Sequence, residues 1–480
     1  MMTGVTRVAI LGGGPGGYEA ALVAAQLDAE VTVVDRDGIG GAAVLTDCVP
    51  SKTLVATAAL MIAVEEAAEL GVRAASEVRA DLEVVNRRVT RLAQAQSGDV
   101  ARRLAAEGVR VLAGSGRLDG PEALLVEEAP AGEPATGSPQ RVDADVVLVA
   151  TGARPRVVGD ATPDGERILT WQQVYGLTKL PERLVVVGSG VTGLEFAGAY
   201  LALGCDVVLV SSRELVLPGE DADAARVIED ACRRRGMTVL SRSRMASVEL
   251  RSAEGADGEP DGVRVTLTDG RVVDGSHCLL ALGSVANTDG LGLDESGVRL
   301  DQRGHVLVDR VSRTSARGVY AAGDCTGVQM LASVAAMQGR IAMWHALGDA
   351  VTPLDLAQVS SNVFTAPEIA TVGWTQQAAD TGAASIAAGD VDSVCLDLAG
   401  NARAKMQGVR EGFVKLFCRR GTGIVVGGVI VAPQASELVH PVAVAVACTL
   451  TVDQVAQAFT VYPSLTGSVA EAARRLHRRT

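Results

Sequence analysis

Two stretches decide the fold: RVAILGGGPGGYEA at residues 7–20 and RLVVVGSGVTGLEFAGAY at residues 183–200. Each is a short apolar run rich in β-branched residues, then G-x-G-x-x-G, then a pattern that reads as helix. The glycines are Gly12, Gly14 and Gly17 in the first and Gly188, Gly190 and Gly193 in the second. In such a loop the first glycine makes the tight turn, the second lets backbone approach a pyrophosphate, and the third lets helix pack on strand. The helix N-terminus then turns unpaired N–H groups toward the phosphates. A second apolar run follows each loop at the same spacing, VTVVD ending at Asp35 and VVLVS ending at Ser211. The chain is therefore expected to hold two dinucleotide-binding units of one design.

The ends of the second strands separate the two ligands. Asp35 is the acid expected to hold a ribose 2′-hydroxyl. Its counterpart is Ser211, followed by Ser212 and Arg213, so no carboxylate stands there to repel a 2′-phosphate. The second site is expected to accept both NADH and NADPH, with Arg213 as the phosphate contact; the bland alternative makes Arg213 a solvated surface residue.

Three further apolar strands end in glycine: ATGARP (Ala150 to Pro155), LALGS (Leu280 to Ser284) and VYAAGDCTG (Val319 to Gly327). They predict a discontinuous first nucleotide domain, 1–155 resumed at 285–351, with the second nucleotide domain at 156–284 inserted. Residues 352–480 change to strands such as GFVKLFC and GIVVGGVIV followed by helices, without a phosphate loop, and read as an α+β domain. The fold class is α/β, two Rossmann-like domains plus this C-terminal domain. Two polar, Pro/Gly-rich stretches, Glu127 to Gln140 and Ser252 to Gly262, read as hairpin tips.

Composition excludes other classes. With 44 Lys and Arg against 57 Asp and Glu, the net charge of -13 argues against a nucleic-acid or anionic-membrane partner. The apolar stretch Pro441 to Leu450 is about half the ~20 residues of a membrane span, so no transmembrane segment is expected. The eight cysteines form no C-x-x-C pair and no zinc-like spacing, which reads as a reduced, cytoplasmic set without a metal site.

Together with GIGGAAVLTDCVPSKTL (Gly38 to Leu54), FTAPEIATVGWT (Phe364 to Thr375) and ASEL (Ala435 to Leu438), this arrangement resembles the flavoprotein disulfide reductases over nearly the whole chain. The resemblance implies that FAD is held by the first loop, Asp35, Gly41, Lys52, Thr151, Gly152 and Asp324. It implies that NADH or NADPH is held by the second loop with Ser211, Arg213 and Gly283. Lys52 would pair with Glu195 beside the flavin N5, where a cation stabilises negative charge on the reduced ring and the carboxylate tempers the lysine. A homodimer formed through the C-terminal domain is also implied.

The departures carry more information than the matches. The family's redox motif, G-G-x-C-x4-C-x-P-S-K, has Ala43 at its first cysteine and Cys48 at its second. The family's H-P-T-x-x-E reads Tyr462-Pro463-Ser464-Leu465-Thr466-Gly467, replacing the acid/base histidine by a phenol of ordinary pKa ~10 and the orienting glutamate by Gly467. All three losses fall in the transfer of electrons through a dithiol to a disulfide. The residues for hydride transfer from nicotinamide to flavin remain. The resemblance then points to the NAD(P)H quinone reductase branch known from actinobacteria, passing electrons from flavin to a quinone. A flavin-dependent transhydrogenase and a non-catalytic flavoprotein scaffold are the alternatives. Tyr462 either donates a hydrogen bond to the quinone or fills the space of the histidine. Cys48 is either an inert packed thiol, a charge-transfer contact with flavin or a sulfenic-acid centre like that of the family's single-cysteine NADH peroxidases, and the other seven cysteines are expected to be small core residues.

Overall fold

The strand Arg7–Leu11 is an interior strand of a seven-stranded sheet whose order is Val319–Ala321, Val146–Val149, Arg7–Leu11, Glu30–Asp35, Arg110–Leu118, Ala123–Glu128, Gln140–Asp143. This is seen in a computed structural model that describes residues 5–73, 75–129, 137–251, 261–382, 387 and 389–477. Val8 to Leu11 pair in parallel with Val31 to Val34 on one side and with Val146 to Val149 on the other. Ile10, Val33 and Leu148 are fully buried, because a parallel sheet covered on both faces needs apolar side chains pointing both ways. The short strands Ala153–Pro155 and Ser284–Ala286 pair antiparallel, so the chain leaves this body and returns to it side by side. Its last strand, Val319–Ala321, comes from the returning segment.

The second parallel sheet runs Thr238–Leu240, Asp206–Val210, Arg183–Val187, His277–Leu280, Ile168–Thr170. A three-stranded antiparallel sheet, Met245–Arg251, Gly262–Leu267 and Val272–Gly275, accompanies it. The strands on either side of both expected hairpin tips pair antiparallel. Residues 130–136 and 252–260 of those tips lie outside the described residues.

The C-terminal region forms a five-stranded antiparallel sheet, Ser360–Val363, Glu368–Gly373, Val425–Ala432, Phe413–Arg419, Val391–Asp397. Val414, Leu416, Ile430, Val442 and Ala472 share its core with the helices His440–Ala447 and Gly467–Leu476. One residue in this buried strand breaks the pattern: Lys415 is 3% exposed. Its ammonium donates to both oxygens of Asp221 at 2.9 and 2.8 Å and to Asp223 at 2.8 Å. Asp221 is itself buried and caps the helix Ala222–Arg234, accepting the N–H groups of Asp223 and Ala224.

Two expectations need correction. By length and composition alone the helical run Gly41–Leu70 is long and apolar enough to cross a membrane, which corrects the expectation that no stretch reaches that length. Counting uninterrupted apolar residues missed it, since Lys52 falls within the run while the average stays apolar. Of the seven cysteines expected in the core, five are buried, but Cys395 and Cys448 are exposed. Cys395 lies on the outward face of the alternating edge strand Val391–Asp397, and Cys448 just past a helix end.

Candidate functional site

At the first loop the glycine pattern is enforced by backbone contacts. Gly12 has φ +106°, and a Cβ there would lie 2.3 Å from the Ala150 carbonyl oxygen. A Cβ at Gly17 would lie 1.8 Å from the Gly12 carbonyl oxygen. Gly14 is the N-cap of Pro15–Gln26 and no side chain caps that helix, which leaves its N-terminal dipole for a ligand anion. Gly41 seats against the loop: its Cβ would meet the Gly14 Cα at 2.8 Å.

Asp35 accepts three backbone N–H groups, from Gly13 at 2.6 Å, Asp37 at 2.9 Å and Gly38 at 2.6 Å. Its carboxylate thus clamps the phosphate loop to the strand end. Burial pushes its pKa up, and the three N–H groups oppose that rise. Thr151 and Gly152 are stitched to the returning segment through Asn287. The Thr151 hydroxyl donates to the Asn287 carbonyl at 2.7 Å, and the Asn287 N–H donates to the Gly152 carbonyl at 3.0 Å.

Asp324 opens the short helix Asp324–Thr326. Its pKa is pushed up to about 6, first by burial and then by the facing carboxylate of Asp47. Asp47 immediately precedes Cys48, and sequence reasoning missed it because only the topology brings it to Asp324. Cys48 begins the helix Cys48–Glu66, which carries Lys52. An uncapped helix end, a glycine cradle and half-buried carboxylates suited to hydroxyl groups fit FAD. Asp324 supports a prediction whose sign depends on that ligand. A carboxyl whose pKa is raised on folding destabilises the fold above the raised value and costs nothing below the unfolded value of ~4. Asp324→Asn is therefore expected to stabilise the flavin-free chain at pH 7–8, on the order of 1–3 kcal/mol, with the gain vanishing near pH 4. The same change should weaken FAD retention; denaturation curves of both forms across that pH range check it.

The second loop repeats the backbone design. A Cβ at Gly188, φ +114°, would lie 2.2 Å from the Ala281 carbonyl oxygen, and one at Gly193 would lie 1.9 Å from the Gly188 carbonyl oxygen. Gly190 is the N-cap of Val191–Ala202, again with no side-chain cap. The clamp differs. Ser211 is fully buried and its hydroxyl hydrogen-bonds that of Ser189, 2.7 Å away, so a neutral pair stands where the first loop has Asp35. Ser212 and Arg213, both exposed, are what the strand end offers outward. Gly283 has φ +84°, and its carbonyl accepts the Arg156 N–H at 2.9 Å.

Glu195 is 3% exposed on the helix Val191–Ala202, where its carboxylate accepts the Phe364 N–H at 2.8 Å. Tyr462 is 86% exposed, on a segment where Phe459 and Val461 are also bare to solvent.

Residues 6–339 match the family described as pyridine nucleotide-disulphide oxidoreductase, and residues 359–473 match the dimerisation domain of that family. The chain is 54% identical over 476 residues to a Mycobacterium tuberculosis protein named NAD(P)H dehydrogenase (quinone), covering 98% of this chain and 94% of that one. It is 31% identical over 463 residues to dihydrolipoyl dehydrogenase of Zymomonas mobilis, covering 96% of each. The crystal structure of LpdA from Mycobacterium tuberculosis superposes with a TM-score of 0.90 at 52% identity, covering 99% of this chain and 100% of that one.

Proposed function

Because the chain belongs to the pyridine nucleotide-disulphide oxidoreductase family, and so is an FAD-dependent oxidoreductase using NAD(P)H, we propose that it passes electrons directly to a quinone-type acceptor and not to a disulfide. The observation that carries this reading is Ala43: it leaves Cys48 as the single thiol of the redox motif, without the motif partner that would complete a dithiol relay. The quinone named for the 54% identical relative supports it. Bound FAD would supply a group that takes a hydride from NAD(P)H and yields one to the acceptor.

The residues proposed to hold FAD are Gly12, Gly14, Gly17, Asp35, Gly41, Thr151, Gly152 and Asp324. Those proposed for the nicotinamide nucleotide are Gly188, Gly190, Gly193, Ser211, Arg213 and Gly283. Lys52 supplies positive charge against the reduced ring, and Glu195, fixed by the Phe364 N–H, tempers that lysine. Tyr462, turned outward on its own chain, serves the acceptor site of a homodimer, where its hydroxyl can donate to a quinone oxygen. The domain limits are proposed at 155/156, 284/285 and 351/352. Eight unpaired cysteines suit a reducing compartment, and we place the enzyme in the cytoplasm.

One anaerobic titration tests the reading. NADH should bleach the flavin colour and menadione should restore it, in wild type and in Cys48→Ser at rates within a few fold. If Cys48→Ser stops menadione while NADH still bleaches the protein, a single-thiol route replaces direct transfer. Restoration by oxidised nicotinamide nucleotide but not by menadione would favour the transhydrogenase, which the missing acid at Ser211 also allows.

A further inference from the structure

The carboxyl ends of neighbouring parallel strands, Asp206–Val210 and Thr238–Leu240, lie where a dinucleotide's ribose is read. Past those ends the two segments stay knitted by backbone hydrogen bonds. Ser211 N–H donates to the Leu240 carbonyl at 2.9 Å, Ser243 N–H to the Ser211 carbonyl at 2.7 Å, and Arg242 N–H to the Arg213 carbonyl at 2.8 Å. Arg242 holds a left-handed backbone, φ +52°, uncommon for so large a side chain and a conformation that persists only where the surroundings impose it. The next residue, Ser243, is buried, and its hydroxyl accepts from the Arg271 guanidinium at 2.6 Å. The segment is thus fixed from two sides, and the result is to set Arg242 beside Arg213.

Two arginines therefore follow two adjacent strand ends. Arg213 has no carboxylate partner among the described residues. Arg242 already holds an anion, with its terminal nitrogen 2.6 Å from a Glu214 oxygen. That pair is 73% and 72% exposed, so solvent and salt screen it and it holds Arg242 only weakly. A phosphate monoester carries nearly two charges and three acceptor oxygens, and a guanidinium binds it through paired, charge-assisted hydrogen bonds.

We infer that Arg242 is a second arginine of the 2′-phosphate site: it exchanges the Glu214 carboxylate for the phosphate of NADPH, and Glu214 limits the preference for NADPH over NADH. This rests on reading the second loop as the nicotinamide nucleotide site with its 2′ position at Arg213. It assigns specificity to a residue of the neighbouring strand's exit, outside the glycine-loop unit.

The test is calorimetric binding of 2′,5′-ADP and of ADP to the FAD-loaded protein, which needs no turnover. Arg242→Ala should weaken 2′,5′-ADP relative to ADP by roughly tenfold or more, the loss of charge-assisted hydrogen bonds. Arg242→Lys should keep part of the discrimination, because the charge stays while the fork is lost. Glu214→Gln should improve 2′,5′-ADP relative to ADP by a few fold. An unchanged ratio in Arg242→Ala, with a lowered ratio in Arg213→Ala, overturns the role of Arg242 while the strand end keeps its role. If neither variant moves the ratio, the strand end is not where the 2′ position is read, and both readings fall. Equal weakening of the two ligands in Arg242→Ala would show a displaced loop and would also overturn the inference.

Discussion

Lipoamide is expected to be reduced at least about a thousandfold more slowly than a small quinone, since both the relay thiol and a general acid–base pair, worth ~10²–10⁴ alone, are missing. Ala43 cannot close a disulfide with Cys48, the phenol of Tyr462 replaces the family's imidazole base, and Gly467 brings no carboxylate to orient a base. Electron counting gives a sharper form of the same expectation. Anaerobic reductive titration of the wild type should consume two electrons per flavin, because the motif's one cysteine, Cys48, has no partner at Ala43 with which to form a second redox couple. Ala43→Cys, which restores the family spacing, should raise this to four when the new disulfide forms, yet leave lipoamide turnover slow for want of a base. Fast lipoamide turnover in the wild type would refute direct transfer to a quinone as its distinguishing chemistry.

Lys415→Ala is expected to destabilise the chain by about 3–5 kcal/mol, the usual cost of leaving a buried charge without its partner. Asp221, whose side chain is fully buried, would lose the ammonium that bonds both of its oxygens. The same carboxylate accepts the N–H groups of Asp223 and Ala224 as the helix cap, which holds it in place. Lys415→Met separates charge from packing, since it keeps a stem of similar length. Urea unfolding should show both variants with a lowered midpoint and a similar slope. A loss below about 1 kcal/mol in Lys415→Met would mean the ion pair is energetically neutral.

The glycine loops were legible in the sequence because their requirements are local. A Cβ at Gly17 or Gly193 collides with the first glycine of its own loop, so residue type and spacing report the geometry directly. The alternation of strands and helices likewise pointed to the two Rossmann-like units, around whose loops the strands pair in parallel. What stayed hidden depends on residues distant along the chain. Asp47 reads as an ordinary polar residue until the fold turns it toward Asp324. Lys415 sits in a run that otherwise reads as core, and its partners Asp221 and Asp223 belong to another sheet's helix. The missing acid at Ser211 was visible, but not that its hydroxyl would be occupied by Ser189. The strand exit at Arg242 has no motif, since what places it is a backbone hydrogen bond to Arg213.

The contrast between the two loop clamps bears on residence time. A carboxylate with three charge-assisted N–H contacts makes a stiff turret for a group that stays for the life of the protein. A hydroxyl pair contributes about 1 kcal/mol and can yield and re-form without moving charge. That suits a coenzyme which must leave after every turnover. Under the proposed assignment of the two loops, one side chain at equivalent places in two copies of the same design would set a slow exchange on one side of the reaction and a fast exchange on the other.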